Sequence, residues 1–110
     1  WGVPYTGKIE LVNRPWRRCR ARYIYLYCGQ PAAIIRMSRP VNAQLSREEI
    51  LDTLLHELVH WRLHSLGLPF RDTDPAFVQE CLRVGATFSQ TAAAQRALKK
   101  YGHMTREQLA

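Results

Sequence analysis

Residues 46–66 read Ser46-Arg47-Glu48-Glu49-Ile50-Leu51-Asp52-Thr53-Leu54-Leu55-His56-Glu57-Leu58-Val59-His60-Trp61-Arg62-Leu63-His64-Ser65-Leu66. Ser46, followed three residues later by Glu49, is a capping box and starts a helix. Ile50, Leu51, Leu54, Leu55, Leu58, Val59 and Leu63 then recur at helical spacing, and Gly67 and Pro69 end the helix near Leu66. The middle of this helix carries His56-Glu57-Leu58-Val59-His60, an H-E-x-x-H pattern. Positions i and i+4 share one helix face, a turn apart, so the two imidazoles can bind one zinc ion. Glu57, beside the first of them, is placed to act on water as a general base. Composition alone produces such a pattern in roughly one chain in a few hundred of this length, so chance is a weak explanation.

Upstream, Lys8–Val12 alternates polar and apolar residues and reads as a short strand. Arg22–Cys28 is rich in Tyr and Ile with period-two alternation and reads as a second strand. Gly29-Gln30-Pro31 signals a turn, and Ala32–Ser38 completes a hairpin. Downstream, Asp74-Pro75 reads as a helix N-cap followed by Pro at the first helical position. Phe77, Val78, Cys81, Leu82 and Gly85 form one face of that helix. A third helical stretch runs from Ser89 or Thr91 to Tyr101 and stops at Gly102. These elements predict an α+β fold: a short antiparallel sheet packed on the H-E-x-x-H helix, with two further helices, as one domain over residues 1–102 and a polar tail over 103–110.

The chain has 110 residues, 46% hydrophobic and 23% charged, the balance of an ordinary globular domain. It opens on Trp1 rather than Met, which suggests a piece of a longer protein. No run of apolar residues is long enough for a transmembrane helix, so no membrane partner is expected, and no signal peptide is visible. Cys19, Cys28 and Cys81 form neither an even disulfide framework nor a four-cysteine zinc site, and three free thiols fit a cytoplasmic location. The net charge of +7 suggests an anionic partner, with nucleic acid, DNA in particular, the first candidate. Arg14, Arg17, Arg18, Arg20 and Arg22 surround Trp16 and precede the alternating Tyr23, Tyr25 and Tyr27, a combination of phosphate-binding and stacking groups. The bland alternative is a solvated charged segment beside a strand whose Tyr rings cover the core.

A catalytic zinc takes three protein ligands and keeps a fourth position open. His56 and His60 supply two. His64 lies a further turn along the axis, better placed for the rim than for the same ion. Three carboxylates follow the helix. Asp72, in the loop before the second helix, has no evident structural duty and ranks first. Asp74, the expected N-cap, ranks second, and Glu80, flanking the apolar face of the second helix, ranks third.

The run Thr53-Leu54-Leu55-His56-Glu57-Leu58-Val59-His60, the strand-rich basic region before it and Pro75-Ala76-Phe77 at the next helix start resemble the SprT-like zinc metalloproteases, whose eukaryotic relatives include Spartan. The resemblance covers roughly residues 9–86 and implies a small zincin-like domain. It implies zinc on His56 and His60, with Glu57 as general base. In that family a His just before the second helix is the third ligand; the corresponding stretch here reads Asp72-Thr73-Asp74, so an Asp stands in its place. An oxygen ligand is acceptable to zinc and makes the site harder. The resemblance further implies a peptidase acting on proteins associated with DNA.

The leading expectation is therefore a zinc-dependent peptidase, with a protein as substrate and the strand Ala32–Ser38 flanking the cleft as a template for an extended chain. The alternative is a nucleic-acid-binding module whose metal site is structural or degenerate. The intact Glu57 favours the enzyme, because a structural site has no use for a general base.

Overall fold

A computed structural model describes residues 1–16 and 19–102. Arg17, Arg18 and the tail 103–110 lie outside the described residues. The described chain contains three strands and four helices, an α+β arrangement. It divides into two compact units, Trp1–Leu58 and Val59–Ala110. The division falls inside the H-E-x-x-H helix.

The first unit holds the sheet. Strands β1 (Lys8–Val12), β2 (Ala21–Tyr27) and β3 (Gln30–Ser38) lie in the order β1-β3-β2. β2 and β3 form the expected antiparallel hairpin, with Arg22 opposite Arg36 and Ile24 opposite Ile34. The turn is tighter than Gly29-Gln30-Pro31 suggested. Cys28 and Gly29 take φ of 52° and 77°, the pair of left-handed residues that a two-residue hairpin turn requires, and Gln30 and Pro31 already belong to β3. β1 corrects the expectation of an antiparallel sheet: it runs parallel to β3, with Lys8 opposite Ile34 and Val12 opposite Ser38. The segment after β1 carries the chain past β3 to its far side before β2 begins. The sheet is therefore mixed, and β3 is its central strand.

Short helix α1 (Arg39–Asn42) follows β3 directly. Ser38 caps it by accepting from the Val41 N–H at 3.3 Å, and Pro40 sits in its first turn. The same Ser38 hydroxyl donates to the Arg14 carbonyl at 2.5 Å. The Asn42 amide donates to the carbonyls of Arg20, at 2.9 Å, and Ser38, at 2.7 Å. Both ends of the arginine-rich segment are thus tied to the end of β3.

Helix α2 (Arg47–Ser65) starts as the capping box dictates. The Glu49 N–H donates to the Ser46 hydroxyl at 3.1 Å, and the Glu49 carboxylate accepts from the Ser46 N–H at 3.3 Å. Ile50, Leu54 and Leu58, one turn apart, pack on the buried cluster of Ala21, Ile35 and Met37, together with Tyr5 and Tyr23. Leu51, counted in the apolar repeat, is half exposed. At the C-terminus Gly67 takes φ of 70°. Its N–H donates to the His64 carbonyl at 3.0 Å and that of Leu68 to the Leu63 carbonyl at 2.9 Å, the paired bonds of a Schellman stop.

In the second unit, α2 continues with Val59, Trp61 and Leu63 buried. Helix α3 (Pro75–Val84) buries Phe77, Val78 and Cys81 and ends at the left-handed Gly85. Helix α4 (Ala92–Tyr101) is capped by Thr91 and buries Ala94 and Ala97. The Gln79 amide donates to the Tyr101 carbonyl at 2.7 Å, joining α3 to the end of α4. No helix among the described residues is long and apolar enough to cross a membrane.

Candidate metal centre

His56 and His60 sit one turn apart on α2, each partly buried, and Glu57 beside them is 7% exposed. Three contacts fix the His60 ring. Its Nδ1–H donates to the Phe70 carbonyl at 2.5 Å. Its face stacks on Phe77 of α3, with ring centroids 4.2 Å apart and planes 20° from parallel. Its Nε2 lies 3.1 Å from Asp72 Oδ1. A carbonyl can only accept, so Nδ1 keeps the proton, and the lone pair of the neutral ring belongs to Nε2, on the Asp72 side. Metal-binding histidines are oriented in this way, by a second nitrogen bonded to a backbone carbonyl or a carboxylate.

His56, His60 and Asp72 form a group in which one ligand atom from each lies within 4.8 Å of the other two, and this group could hold a metal ion. Ligand atoms on a tetrahedral zinc, each about 2.0–2.1 Å from the ion, stand ~3.3 Å apart, so the His60–Asp72 pair already has that spacing. Two imidazoles and one carboxylate are the donor types that a divalent ion of intermediate hardness takes. Glu57 is not a member of the group.

Of the carboxylates considered, the structure brings Asp72 to the histidine pair and not the other two. Asp74 occupies the N-cap position of α3 by its backbone, but its carboxylate makes no cap bond. It accepts instead from the Arg71 N–H at 2.9 Å, which closes the loop that holds Asp72. Glu80 pairs with Arg83, one turn along α3. His64 packs at a tilt on Phe70, centroids 4.6 Å apart, and so braces the residue whose carbonyl orients His60.

Two contributors went unseen in the sequence. Phe70 acts through its backbone, which no side-chain pattern announces. Phe77 was read as core, and it is nearly fully buried; its stacking on His60 follows only from where α3 is placed. The strand Ala32–Ser38, expected to offer a free edge to a substrate, cannot do so, because residues 34–38 of β3 are paired to β1 on one side and from 34 to 37 to β2 on the other.

The arginine-rich segment is partly committed. Arg20 pairs with Glu49 at 3.7 Å. Arg22 lies over the Trp16 ring, 4.9 Å from its centroid, and its Nε donates to Cys19 Sγ at 3.3 Å. Arg14 is exposed and is tied through its carbonyl to Ser38.

The chain matches no protein-family model, no curated protein and no solved structure. The resemblance to SprT-like proteins accordingly rests on the motif residues themselves.

Proposed function

We propose that the chain is a zinc-dependent metallopeptidase of SprT-like type, with His56, His60 and Asp72 as ligands, Glu57 as general base and a protein, DNA-associated in the family's manner, as substrate. The observation that carries this reading is the convergence of Asp72 on a His60 ring whose other nitrogen is committed to the Phe70 carbonyl. Zinc held there supplies a Lewis acid that polarises a carbonyl and lowers the pKa of water. Glu57 takes the proton from the attacking water and returns it to the leaving amine. Asp72 contributes a negative charge and a harder donor than the imidazole found at this place in the resembling family. Phe70, Phe77 and, through Phe70, His64 keep the His60 ring from turning.

The test is cleavage of an unfolded protein, β-casein, by the zinc-loaded chain and by Glu57→Gln. The wild type cleaves it; the variant keeps its zinc and loses activity by about 10²–10⁴-fold, the usual worth of a general base. Equal cleavage by both, or none by a fully zinc-loaded wild type, overturns the reading.

A further inference from the structure

The sheet leaves part of its apolar face bare. Register sets Ile9 beside Ile35 and Leu11 beside Met37, and Tyr23 and Ala21 continue the same face on β2. Helix α2 packs Ile50, Leu54 and Leu58 on Ala21, Ile35 and Met37, so it covers the β2 and β3 part of this face and stops short of β1. Ile35 and Met37 are buried, whereas Ile9 is 52% and Leu11 55% exposed. Two large apolar side chains therefore stand half bare on the core side of the sheet.

Strand β1 is also an edge. It pairs only with β3, and among the described residues its outward N–H and C=O groups have no backbone partner. Edge strands are commonly blunted by a bulge, a proline or charges. β2, the opposite edge, has such a device: a register shift between Ile24 and Leu26. The shift turns the strand end so that Tyr27 meets Arg36, 5.3 Å from ring centroid to guanidinium. β1 keeps an unbroken register over its five residues and contains no proline. Its charges, Lys8 and Glu10, alternate with Ile9 and Leu11 and so lie on the other face. Glu10 gives Oε2 to Arg36 at 2.9 Å, and among the described residues no ion pair engages Lys8.

We infer that β1 pairs antiparallel with β1 of a second copy, about a two-fold axis through Ile9. The two sheets then become one, in the order β2-β3-β1-β1-β3-β2. The charges choose this register. With the axis at Ile9, Lys8 of each copy stands opposite Glu10 of the other, and Ile9 meets Ile9. With the axis one residue later, Glu10 faces Glu10, and like charges directly opposite destabilise a sheet. An axis between two residues sets the apolar face of one copy beside the polar face of the other. The axis at Ile9 is perpendicular to the sheet, so Ile9 and Leu11 of both copies join on the side that carries both α2 helices. Leu11 falls opposite Gly7, which has no side chain to obstruct it. Such a contact is isologous and closes after two copies. A peptide strand would satisfy the backbone groups, but a second copy brings the complementary charges and the apolar pair by symmetry. The inference needs neither the metal nor the hydrolase reading.

Sedimentation velocity of the full chain from about 1 to 500 µM tests the inference, a range suited to the small interface of one strand. The mass rises with concentration from 12.8 kDa toward twice that value. Ile9→Lys puts two like charges on the axis and raises the dimer Kd by about tenfold or more. Lys8→Gln removes both cross-strand ion pairs and raises it by about threefold. Crosslinking supplies a gain that misfolding cannot mimic. In a Cys19→Ser, Cys28→Ser background only the buried Cys81 is left. There, under oxidised glutathione, Ile9→Cys forms a covalent dimer, because its Cα and that of its mate stand ~5 Å apart. Leu11→Cys does not, because its mate lies four residues along the partner strand, ~13 Å away. The inference is overturned by a monomer throughout the range, by a dimer that Ile9→Lys and Lys8→Gln leave unchanged, or by Leu11→Cys crosslinking as readily as Ile9→Cys. A monomeric wild type whose cleavage of β-casein falls in Ile9→Lys assigns the edge to substrate and overturns it as well.

Discussion

At the scale of residues, the position that distinguishes this site is Asp72. His56 and His60 were legible as a pair because the pattern is local: two imidazoles one turn apart share a helix face, with the proposed base Glu57 beside the first. Asp72 was legible only by elimination, as a carboxylate without a structural duty in the right loop. The carbonyl of Phe70 was not legible at all, since every residue has one and only the fold selects which. A carboxylate at this place yields a prediction. Asp72→His puts an imidazole near His60 Nε2 and should still bind one zinc per chain, whereas Asp72→Ala should lose affinity by roughly tenfold or more; competition with a chromophoric chelator measures both. Equal affinity in Asp72→Ala and wild type would remove Asp72 from the ligand set. Asp74→Ala should act differently, loosening the loop by withdrawing the Arg71 N–H acceptor while leaving both imidazoles in place, so its loss of affinity should be the smaller of the two.

At the scale of elements, the places of the strands and of the three longer helices were legible and the pairing of β1 was not, for a physical reason. The ends of α2 are written in neighbouring residues: Ser46 and Glu49 at one end, Gly67 at the other. Replacing Ser46 by Ala leaves the Glu49 N–H without its acceptor and should lower stability by about 1 kcal/mol, read from urea unfolding. Gly67→Ala forces a side chain into left-handed backbone and should cost a similar ~1 kcal/mol. A loss near zero in both would mean that α2 is held wholly by packing. The parallel pairing of β1 with β3 has no such local signature, because the partners are brought together by a crossover and not by a turn. Short α1 went unread although Ser38-Arg39-Pro40 is a local helix start, because a helix of four residues is too short to show an apolar repeat. The bulge that moves Tyr27 to the side of Arg36 was likewise invisible to a strict alternation of faces.

At the scale of the whole molecule, pH and metal are the two variables that separate folded from unfolded chain. The Tyr23 hydroxyl is pushed up to about 12 from an ordinary 10.0, first by burial and then by the neighbouring Tyr5. Between those values the folded chain keeps a proton that the unfolded chain releases, so stability is undiminished below pH 10 and declines as the pH rises toward 12. Thermal melts across this window should show a shallower decline in Tyr23→Phe; an identical decline would assign the alkaline loss to other groups. The proposed zinc would act in the opposite sense, since an ion that binds only the folded chain adds about 2.7 kcal/mol of stability at a hundredfold excess over its dissociation constant. The most decisive measurement is the zinc content of the purified chain by elemental analysis, for wild type, Asp72→Ala and Glu57→Gln together. One zinc per chain in the wild type and in Glu57→Gln, with little or none in Asp72→Ala, is the expected pattern. A wild type that holds no zinc and takes up none when it is supplied would contradict the metal centre, and with it the peptidase.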